Sequence, residues 1–313
     1  MYTELLNLGS EALRKAALNQ DAKNFILSNK VLFQTLKKAA NRYIGGETLE
    51  QTVVKVKAQN NSKFKCSIEF MGEDTATEKE AIAAKDEFVK ICREIKKEKL
   101  SSSVSLDLSH LGLNISKELC ANHLSIICQE ALKADTDVMI SAEGHEKTNS
   151  VIEIYKKVSK IQKNVGITLQ AYLFRTKDDF KELLKEKGKI RISKGAFETP
   201  KGLSLSRGEE LDKVYLDYLN QLLSKKHPCS IATHDGKIHQ EAKKLIQKYK
   251  PSKDMYEFES LLGIRHDQLV HLKEEGYQTK IYFVYGKEWY LYVCNRIAEY
   301  PLSIFQALSD IVQ

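Results

Sequence analysis

A strand-like run recurs eight times in this chain of 313 residues, and this repetition is the feature that most constrains the fold. The runs are short and rich in apolar, β-branched or aromatic residues: FKCSIEFMG, SVSLDLS, DVMISAEG, VGITLQAYLF, KIRISKG, PCSIATHD, YEFESLLG and TKIYFVYG. Each is followed by a longer stretch with helical periodicity. Strands that alternate with helices form parallel sheets, and eight such units close a (β/α)8 barrel. The sequence therefore predicts an α/β protein built as a (β/α)8, TIM-like barrel.

Two further segments flank the repeat. The segment 1–60 has the amphipathic pattern of helices, as in KNFILSNKVLFQTLKKAANRYI, and we expect it to form an N-terminal helical segment before a barrel over 61–313. The ending EWYLYVCNRIAEYPLSIFQALSDIVQ predicts a final helix with an extension.

Composition excludes several classes of protein. A formal charge of +7, spread along the chain, is too diffuse to indicate a nucleic-acid partner. No apolar run reaches the roughly 18 residues of a membrane span, and the charged, helical N-terminus differs from a secretory signal. The six cysteines form no CxxC pair and have no histidine at metal-ligand spacing, so we expect buried free thiols and no metal site. We expect a cytoplasmic protein and leave open contact with a membrane surface.

Polar residues are concentrated where the predicted strands end. In barrels of this kind the working residues lie at the carboxyl ends of the strands and in the loops that follow. The predicted strand ends carry Asp107, Ser141, Glu143, Gln170, Tyr172, Arg175, Arg191, Lys194, Thr233, His234, Asp235, Glu257, Glu259, Tyr282 and Tyr285. We therefore expect the functional site on this rim.

Lys194 stands at the end of KIRISKG, beside the small residues Gly195 and Ala196. Such a lysine could form a Schiff base with a carbonyl substrate if the barrel mouth desolvates it. It could also donate to an anionic or electron-rich cofactor, with the small residues letting a flat ring approach the backbone. An ion pair with Glu143 or Glu198 is the structural alternative.

Neighbouring rim positions suit a dinucleotide. The Gln170 amide could meet the edge of a heterocycle, and the Arg175 guanidinium suits a phosphate. Thr233 and His234 follow two strands further on, although an isolated histidine is more often a hydrogen-bonded core residue. No GxGxxG follows the first strand and no Walker sequence occurs, which argues against Rossmann and P-loop modes of nucleotide binding.

Six ordered motifs together resemble the flavin-dependent proline dehydrogenase family, over a span from about Phe64 to the C-terminus. They are SVSLDLSHLGL, LQAYLFRT, IRISKGAFETP, IATHD, YEFESLLGIR and YGKEWYLYVCNRIAEYP. The resemblance implies a distorted (β/α)8 barrel with FAD at the strand ends and a last helix that contacts and caps the substrate. It also implies hydride transfer from the carbon beside the ring nitrogen to flavin N5, followed by electron transfer to a membrane quinone or another acceptor.

Matching positions with the family pattern implies roles for individual residues. The cofactor contacts implied on the rim are Gln170, Arg175, Arg191, Lys194, Gly195, Ala196, Thr233, His234 and Glu259. Catalytic or substrate-contacting roles fall on Asp107, Tyr282, Tyr292, Arg296 and Glu299, and the pocket further includes Ser141, Phe197, Leu261 and Asn295. Glu299, one helical turn beyond Arg296, could orient its guanidinium. Core packing is the alternative for the two tyrosines.

The chain departs from the family pattern mainly around the substrate. Asp107 replaces a lysine, Asn295 the first of two adjacent arginines, Ser141 an aspartate and Phe197 a tyrosine. These changes make the pocket about two unit charges more negative, which weakens a carboxylate anchor. We therefore expect a substrate that is proline or a proline-like amine, with a cationic or non-carboxylate amine favoured.

Three functions remain open at this point. The first is an FAD-dependent dehydrogenase that oxidises a C–N bond of such an amine, with the variant that Asp107 pairs with a nearby base and proline binds regardless. The second is a catalytically lapsed flavin-binding or flavin-free regulatory homologue. The third is a Schiff-base lyase that uses Lys194.

Overall fold

Eight parallel strands close a barrel in the computed structural model, which describes residues 8–15, 19–72, 74–299 and 303–312. Each strand pairs with the next, and β8 pairs with β1 over six residue pairs from Lys65–Lys280 to Phe70–Tyr285. The strands are β1 (Lys65–Phe70), β2 (Ser102–Leu106), β3 (Val138–Ile140), β4 (Val165–Gln170), β5 (Ile190–Ser193), β6 (Cys229–Ala232), β7 (Tyr256–Leu261) and β8 (Thr279–Tyr285). The predicted barrel fold is confirmed.

A helix follows every strand. These helices are Glu78–Glu98, Lys117–Lys133, Thr148–Ser159, Thr176–Leu183, Glu209–Ser224, Gly236–Tyr249, His266–Glu274 and Trp289–Glu299. Before β1 the chain is helical over 8–15, Gln20–Ser28, Lys30–Ala40 and Leu49–Asn61, and the helix Ser303–Val312 follows the last barrel helix. Single 3-10 turns occupy Ser109–Leu111, His145–Lys147 and Lys253–Met255. Helices thus precede the barrel as predicted, while a domain boundary at residue 60 stays a prediction.

Local sequence signals set the helix starts. Thr77 and Glu80 form a capping box, in which each side chain accepts from the other residue's backbone N–H. The Asp235 side chain caps the helix Gly236–Tyr249 by accepting from the N–H groups of Lys237 and Ile238. This cap fixes the Asp235 carboxylate at the end of β6, where it has a second contact in the site.

Two apolar clusters hold the elements together. The larger one lies between the strands and their helices and includes Ile68, Val104, Ile167 and Phe258, all fully or almost fully buried. Because successive strand residues point to opposite faces, the alternate residues point into the barrel. The outer face of each strand is therefore apolar, and the inner face is left for polar groups.

The smaller cluster joins the N-terminal helices to the last barrel helix. Tyr43 and Ile44 pack there with Trp289, Val293 and Ile297. The Trp289 indole N–H also donates to Glu47 at 3.2 Å, and Arg42 pairs with Asp310 at 2.5 Å. Because Tyr282 and Val284 of β8 belong to the same cluster, the helix Trp289–Glu299 is held beside the mouth of the barrel.

The bottom of the barrel is closed by a buried ionic layer. Glu257 lies 2.6 Å from Lys280 and 3.5 Å from Lys189, which also lies 3.3 Å from Asp137. The expectation that Glu257 lies at the rim is therefore wrong. Glu257 is only the second residue of β7, because the strand runs on to Leu261.

Candidate active site

A hydrogen-bonded group of three side chains occupies the mouth of the barrel. Ser141, just after β3, donates to Oε2 of Glu69 on β1 at 2.7 Å, and the phenol of Tyr282 on β8 donates to the same oxygen. The Ser141 and Tyr282 oxygens are 3.4 Å apart. Burial raises the pKa of Glu69, although these two donors and Arg191 oppose the shift. A buried carboxylate and phenol therefore face the interior side of the mouth.

Arg191 crosses the barrel just below this group. Its guanidinium donates to Ser141 at 3.1 Å, Thr168 at 2.8 Å, Ser105 at 3.2 Å and Glu259 at 3.0 Å. It also lies over the Tyr282 ring at 5.2 Å, within reach of a cation–π contact. Arg191 is thus an interior strand residue tied to four partners. Its predicted contact with a cofactor stays a prediction.

Glu259 also lies inside the barrel. Its second carboxylate oxygen accepts from Ser230 at 2.5 Å, so both oxygens have partners. Like Arg191, Glu259 contributes to the polar interior, and its predicted cofactor contact is untested.

Asp107 lies directly after β2 and is partly buried. It makes no hydrogen bond or ion pair with any residue that the structure describes, so the expected pairing with a nearby base does not occur there. Burial raises its pKa well above the usual value, and the charges of Glu69 and Glu143 add to the shift. Asp107 is therefore an unpaired acid in the mouth.

Glu143 has a different environment from Asp107. One of its oxygens accepts from the backbone N–H groups of Leu108 at 2.8 Å and Ser109 at 3.1 Å, and the other lies 3.4 Å from Lys147. This side chain fixes the loop after β2 and therefore sets the position of Asp107.

The helix Trp289–Glu299 carries four of the predicted substrate residues: Tyr292, Asn295, Arg296 and Glu299. The Arg296 guanidinium pairs with Glu299 at 2.7 Å, as the helical spacing predicts, and lies 5.1 Å from the Tyr292 ring centroid. Arg296 Nε and the Tyr292 hydroxyl are buried without a hydrogen-bond partner in the described structure. Buried polar atoms are normally satisfied, so these two atoms are candidates for contact with a ligand.

Lys194, at the other side of the mouth, is held by two carboxylates. Its ammonium lies 2.5 Å from Asp212 and 2.6 Å from Asp235. The expected partners Glu143 and Glu198 are wrong, because the helix Glu209–Ser224 and the cap of the following helix supply the acids instead. A lysine paired in this way is a fixed positive charge rather than a free amine nucleophile.

Gly195 has a positive φ of 128°, a conformation that favours glycine. A Cβ atom there would lie 2.3 Å from the Tyr172 ring. The Tyr172 ring thus packs directly against the backbone of Gly195. The Tyr172 hydroxyl donates to the Phe197 carbonyl at 3.0 Å. The glycine allows the loop after β5 to fold onto the loop after β4.

His234 and Gln170 already take part in hydrogen bonds of the rim. His234 Nε2 accepts from the Leu261 N–H at 3.1 Å, and burial, helped by the charge of Arg296, lowers its pKa to about 3. The Gln170 amide donates to the Glu143 carbonyl at 3.0 Å and accepts from the Ala196 N–H at 3.3 Å. Neutral His234 therefore orders the end of β7, and Gln170 joins the loops after β3 and β5.

The loops after β4 and β5 expose apolar side chains at the rim. Phe174 is 53% exposed and Phe197 is 43% exposed, and an isolated bridge between Leu173 and Ser204 joins the two loops. Arg175, beside Phe174, is partly exposed and pairs with Asp179 at 2.7 Å. Aromatic rings beside a cation form a surface that suits a planar, phosphorylated ligand.

Sequence reasoning missed Glu69, the acid that connects Ser141 with Tyr282. The signal was available in the run KCSIEF, where Lys65, Ser67 and Glu69 alternate with apolar residues. Period-two alternation places all three on the inner face of β1. The Ser67 hydroxyl accordingly lies 2.9 Å from that of Ser105 on the neighbouring strand β2.

Two expected absences concern cysteines and metals. All six cysteines are free, five are buried and Cys294 is partly exposed. No group of three or more His, Cys, Asp or Glu that could hold a metal occurs in the described ranges. Within those ranges, too, no helix is long and apolar enough to cross a membrane.

These features define the class of protein. A closed (β/α)8 barrel whose buried acids, arginines and tyrosines meet at the carboxyl ends of the strands has the architecture of a barrel enzyme. Glu69, Asp107 and Tyr282 lie on or directly after β1, β2 and β8, and Lys194, His234 and the exposed phenylalanines lie in the loops after β4, β5 and β6.

Comparison with known proteins gives the family. The family model for proline dehydrogenase matches residues 52–292. Proline dehydrogenase 1 of Bacillus subtilis subsp. natto is 33% identical over 296 residues, which cover 92% of this chain and 97% of that protein. The proline dehydrogenase of Deinococcus radiodurans is 27% identical over 267 residues, covering 84% and 86%. The chain belongs to the proline dehydrogenase family of oxidoreductases, which act on CH–NH groups.

Solved structures agree on the fold. Proline utilization A from Bdellovibrio bacteriovorus, inactivated by N-propargylglycine, superposes with a TM-score of 0.80 at 19% identity. The match covers 94% of this chain but 36% of that longer chain. A mutant of proline utilization A from Bradyrhizobium japonicum gives a TM-score of 0.70 at 18% identity, covering 83% of this chain and 30% of that one.

Proposed function

We propose that this protein is an FAD-dependent dehydrogenase that oxidises the C–N bond of a proline-like cyclic amine to an imine. The observation that carries the proposal is the pair of buried, unpartnered polar atoms, Arg296 Nε and the Tyr292 hydroxyl, at the mouth of a proline dehydrogenase-type barrel. Family membership supplies the reaction class, and the unsatisfied atoms indicate where the substrate binds.

The cofactor side is the rim over β4 to β6. The exposed rings of Phe174 and Phe197 suit the ring part of FAD and the Arg175 guanidinium suits its phosphates, and Lys194 supplies a positive charge after β5. Gln170 and Thr233 complete this side of the mouth. When bound, FAD supplies an acceptor for a hydride at its N5 position.

The substrate side is formed by the last barrel helix and β8. Arg296 is the one arginine left of the family's adjacent pair, and its free Nε–H can donate to a carboxylate oxygen of the substrate. Glu299 keeps the guanidinium in place through the contact at 2.7 Å. Tyr282 is fixed by Glu69 and Ser141, so its ring can form a rigid wall against the substrate ring.

The reacting nitrogen must be neutral for its lone pair to assist departure of the hydride. Asp107 is an unpaired acid in the mouth with a pKa raised by burial and by Glu69, so it can accept a proton from the substrate ammonium. The helix Trp289–Glu299, held by the buried Trp289, covers this part of the mouth and limits access of water.

The electron acceptor is proposed to be a quinone reached at a membrane surface. Phe25, Phe305 and Leu308 are 62%, 67% and 53% exposed on helices that lie outside the barrel. A contiguous patch of exposed apolar side chains marks a surface that contacts lipid or another protein, and the proposal assigns these three residues to such a patch. Co-sedimentation with anionic lipid vesicles, compared with a variant carrying serine at the three positions, tests this part of the proposal.

The central experiment is anaerobic titration of the FAD-loaded protein with L-proline and with pyrrolidine. Loss of the visible flavin absorbance on adding either amine is the expected result. A protein that takes up no FAD, or whose flavin stays oxidised with every amine, contradicts the proposal and favours a lapsed homologue. Borohydride with a carbonyl substrate is expected to leave Lys194 unmodified, because its ammonium is held by Asp212 and Asp235.

A further inference from the structure

We propose that Asp212 tunes the reduction potential of bound FAD by offsetting the charge of Lys194. Together with Asp235 these residues form a group of three charges, the Lys194 triad, whose sum is one negative unit. This inference rests on the proposed function, since it concerns the cofactor that the dehydrogenase would bind. It starts from a lysine after β5 whose ammonium lies between two carboxylates.

The Lys194 triad joins three elements on the rim over β5 and β6. Lys194 directly follows β5, Asp212 lies in the first turn of the helix Glu209–Ser224, and Asp235 stands between β6 and the helix Gly236–Tyr249. The Lys194 ammonium lies 2.5 Å from Asp212 Oδ1 and 2.6 Å from Asp235 Oδ2. The three side chains are 16%, 25% and 28% exposed, so water screens their charges only in part.

Two helix N-termini support the acids of the triad. Asp235 Oδ1 accepts from the N–H groups of Lys237 and Ile238 at the start of their helix. Burial opposes its ionisation, but the hydrogen bond with Lys194 and the charge of that lysine lower the pKa of Asp235. Asp212 stands at the start of the other helix, where the partial positive charge of the N-terminus stabilises a carboxylate.

No second cation balances the two acids. Among the residues that the structure describes, Asp212 and Asp235 form ion pairs with Lys194 alone. Arg207 donates to the Gly195 carbonyl at 2.9 Å, but its side chain is exposed, so water and salt screen its charge. The Lys194 triad therefore keeps its net negative charge.

Asp212 differs from Asp235 in having a single task. Asp235 also caps a helix, whereas the hydrogen bond of the Asp212 carboxylate in the described chain is the one with Lys194. Glu209 and Glu210 lie in the same turn as Asp212, are exposed and form no ion pair there with a described residue. Asp212→Asn thus removes one charge of the triad without removing a helix cap.

A charge beside a flavin shifts the balance between its oxidised and reduced forms. Reduction adds electrons to the ring, so a nearby negative charge disfavours the reduced form and a positive charge favours it. A lone lysine would raise the reduction potential, and the two acids reverse that effect. Lys194 can still donate to the ring, because only two of its three ammonium donors have partners in the described structure.

The test uses the full-length chain loaded with FAD, and reduction potentials are measured anaerobically against a reference dye with dithionite as the reductant. We expect Asp212→Asn to shift the equilibrium about tenfold toward the reduced flavin, a rise of about 30 mV for a two-electron couple. Lys194→Met should shift the equilibrium about tenfold the other way. The double variant has the net charge of the parent triad and should have nearly the potential of the parent.

Two further variants are controls. Asp212→Glu keeps the charge and should keep the potential of the parent. Glu210→Gln removes an exposed acid from the same helical turn and should move the potential much less than Asp212→Asn. A thermal melt and the flavin absorbance check that each variant is folded and loaded. If Asp212→Asn alone does not fold, the difference between Lys194→Met and the double variant measures the same charge.

The outcomes separate this inference from the proposed function. Potentials that follow the net charge, in a protein whose flavin no amine reduces, support the inference and contradict the dehydrogenase. A flavin that L-proline or pyrrolidine reduces, with one potential in the parent and both single variants, supports the dehydrogenase and overturns the inference. Shifts in the same direction for Asp212→Asn and Lys194→Met also overturn it, because Asp212 would then act only by holding Lys194. A protein that takes up no FAD contradicts both.

Discussion

Ser141 donates its hydroxyl hydrogen to Oε2 of Glu69 at 2.7 Å, joining the ends of β3 and β1 across the barrel mouth. The same oxygen accepts from Tyr282, and Ser141 in turn accepts from Arg191 at 3.1 Å. Ser141 thus links the buried Arg191 to Glu69, the acid that holds Tyr282. The position of Tyr282 therefore depends on the network below it.

Replacing Glu69 by glutamine should slow flavin reduction about tenfold to a hundredfold. The physical reason is that Tyr282 loses a charge-assisted hydrogen bond in a buried position, worth roughly 1.5–3 kcal/mol. Stopped-flow measurement of flavin reduction by the best substrate gives the rate.

Glu87→Gln is the matched control for Glu69→Gln. Glu87 accepts from the hydroxyl of Tyr285, which is the last residue of β8, at 2.7 Å. The change therefore alters a similar tyrosine–carboxylate contact on the strand that carries Tyr282. It involves none of the residues Glu69, Ser141 and Tyr282. We expect its reduction rate to stay near that of the parent. Equal rates for both variants would show that the Glu69 contact is structural only.

Replacing Arg191 by methionine should destabilise the protein by about 3–5 kcal/mol, because Glu259 would be left as a buried charge without its cation. Urea unfolding measures the change in free energy. Arg191→Met combined with Glu259→Gln should recover part of the loss, since the unpaired charge is removed as well. Arg175→Met, which breaks a partly exposed pair with Asp179, should cost less than about 1 kcal/mol.

Stability should fall in acid because of Glu257. Burial opposes its ionisation, but Lys280 and Lys189 lower its pKa to about 2 from an ordinary value of 4.5. A carboxylate whose pKa is lower in the folded state stabilises the protein above its unfolded pKa, and this contribution is lost as the pH falls from about 4.5 to about 2.

Unfolding free energies measured between pH 6 and pH 2 check the effect of Glu257. In Glu257→Gln the protein should be less stable at pH 6, and its stability should decline less steeply between about 4.5 and about 2. An unchanged slope in the variant would assign the acid sensitivity to other carboxylates.

Arg296→Gln should weaken binding of L-proline about tenfold or more and leave pyrrolidine unaffected. The variant loses the positive charge that would bind a substrate carboxylate. Pyrrolidine has no carboxylate, so its binding does not depend on that charge. The ratio of the two KM values in steady-state assays measures the effect. Arg265→Gln, at a partly exposed arginine 3.6 Å from Asp267, is the control. Parallel losses for both amines would indicate that Arg296 holds the helix rather than the acid.

The fold could be predicted because it depends on local patterns. Eight runs such as DVMISAEG and TKIYFVYG are apolar and β-branched, and the segments between them bury one face of a helix. These periodicities are properties of neighbouring residues. The residue at which each strand ends was harder to predict from the sequence. Glu257 was therefore expected at the rim, although β7 continues for four more residues.

The sequence predicted candidate residues for the site, but it did not predict their partners. Lys194 was expected beside Glu143 or Glu198 and instead lies between Asp212 and Asp235, which come from later parts of the chain. Glu69 was missed because a single acid in a strand shows its importance only when β3 and β8 bring Ser141 and Tyr282 beside it.

The sequence by itself determined the barrel and the family, because strand periodicity and residue identity are encoded locally. Only the tertiary structure decided which charges are neutralised. Arg191 and Lys194 are held by acids distant in sequence, whereas Asp107 has no partner in the described chain. Coulomb interactions depend on distances of a few ångströms in a medium that burial makes less polarisable. Only the folded arrangement of the strands and helices sets those distances.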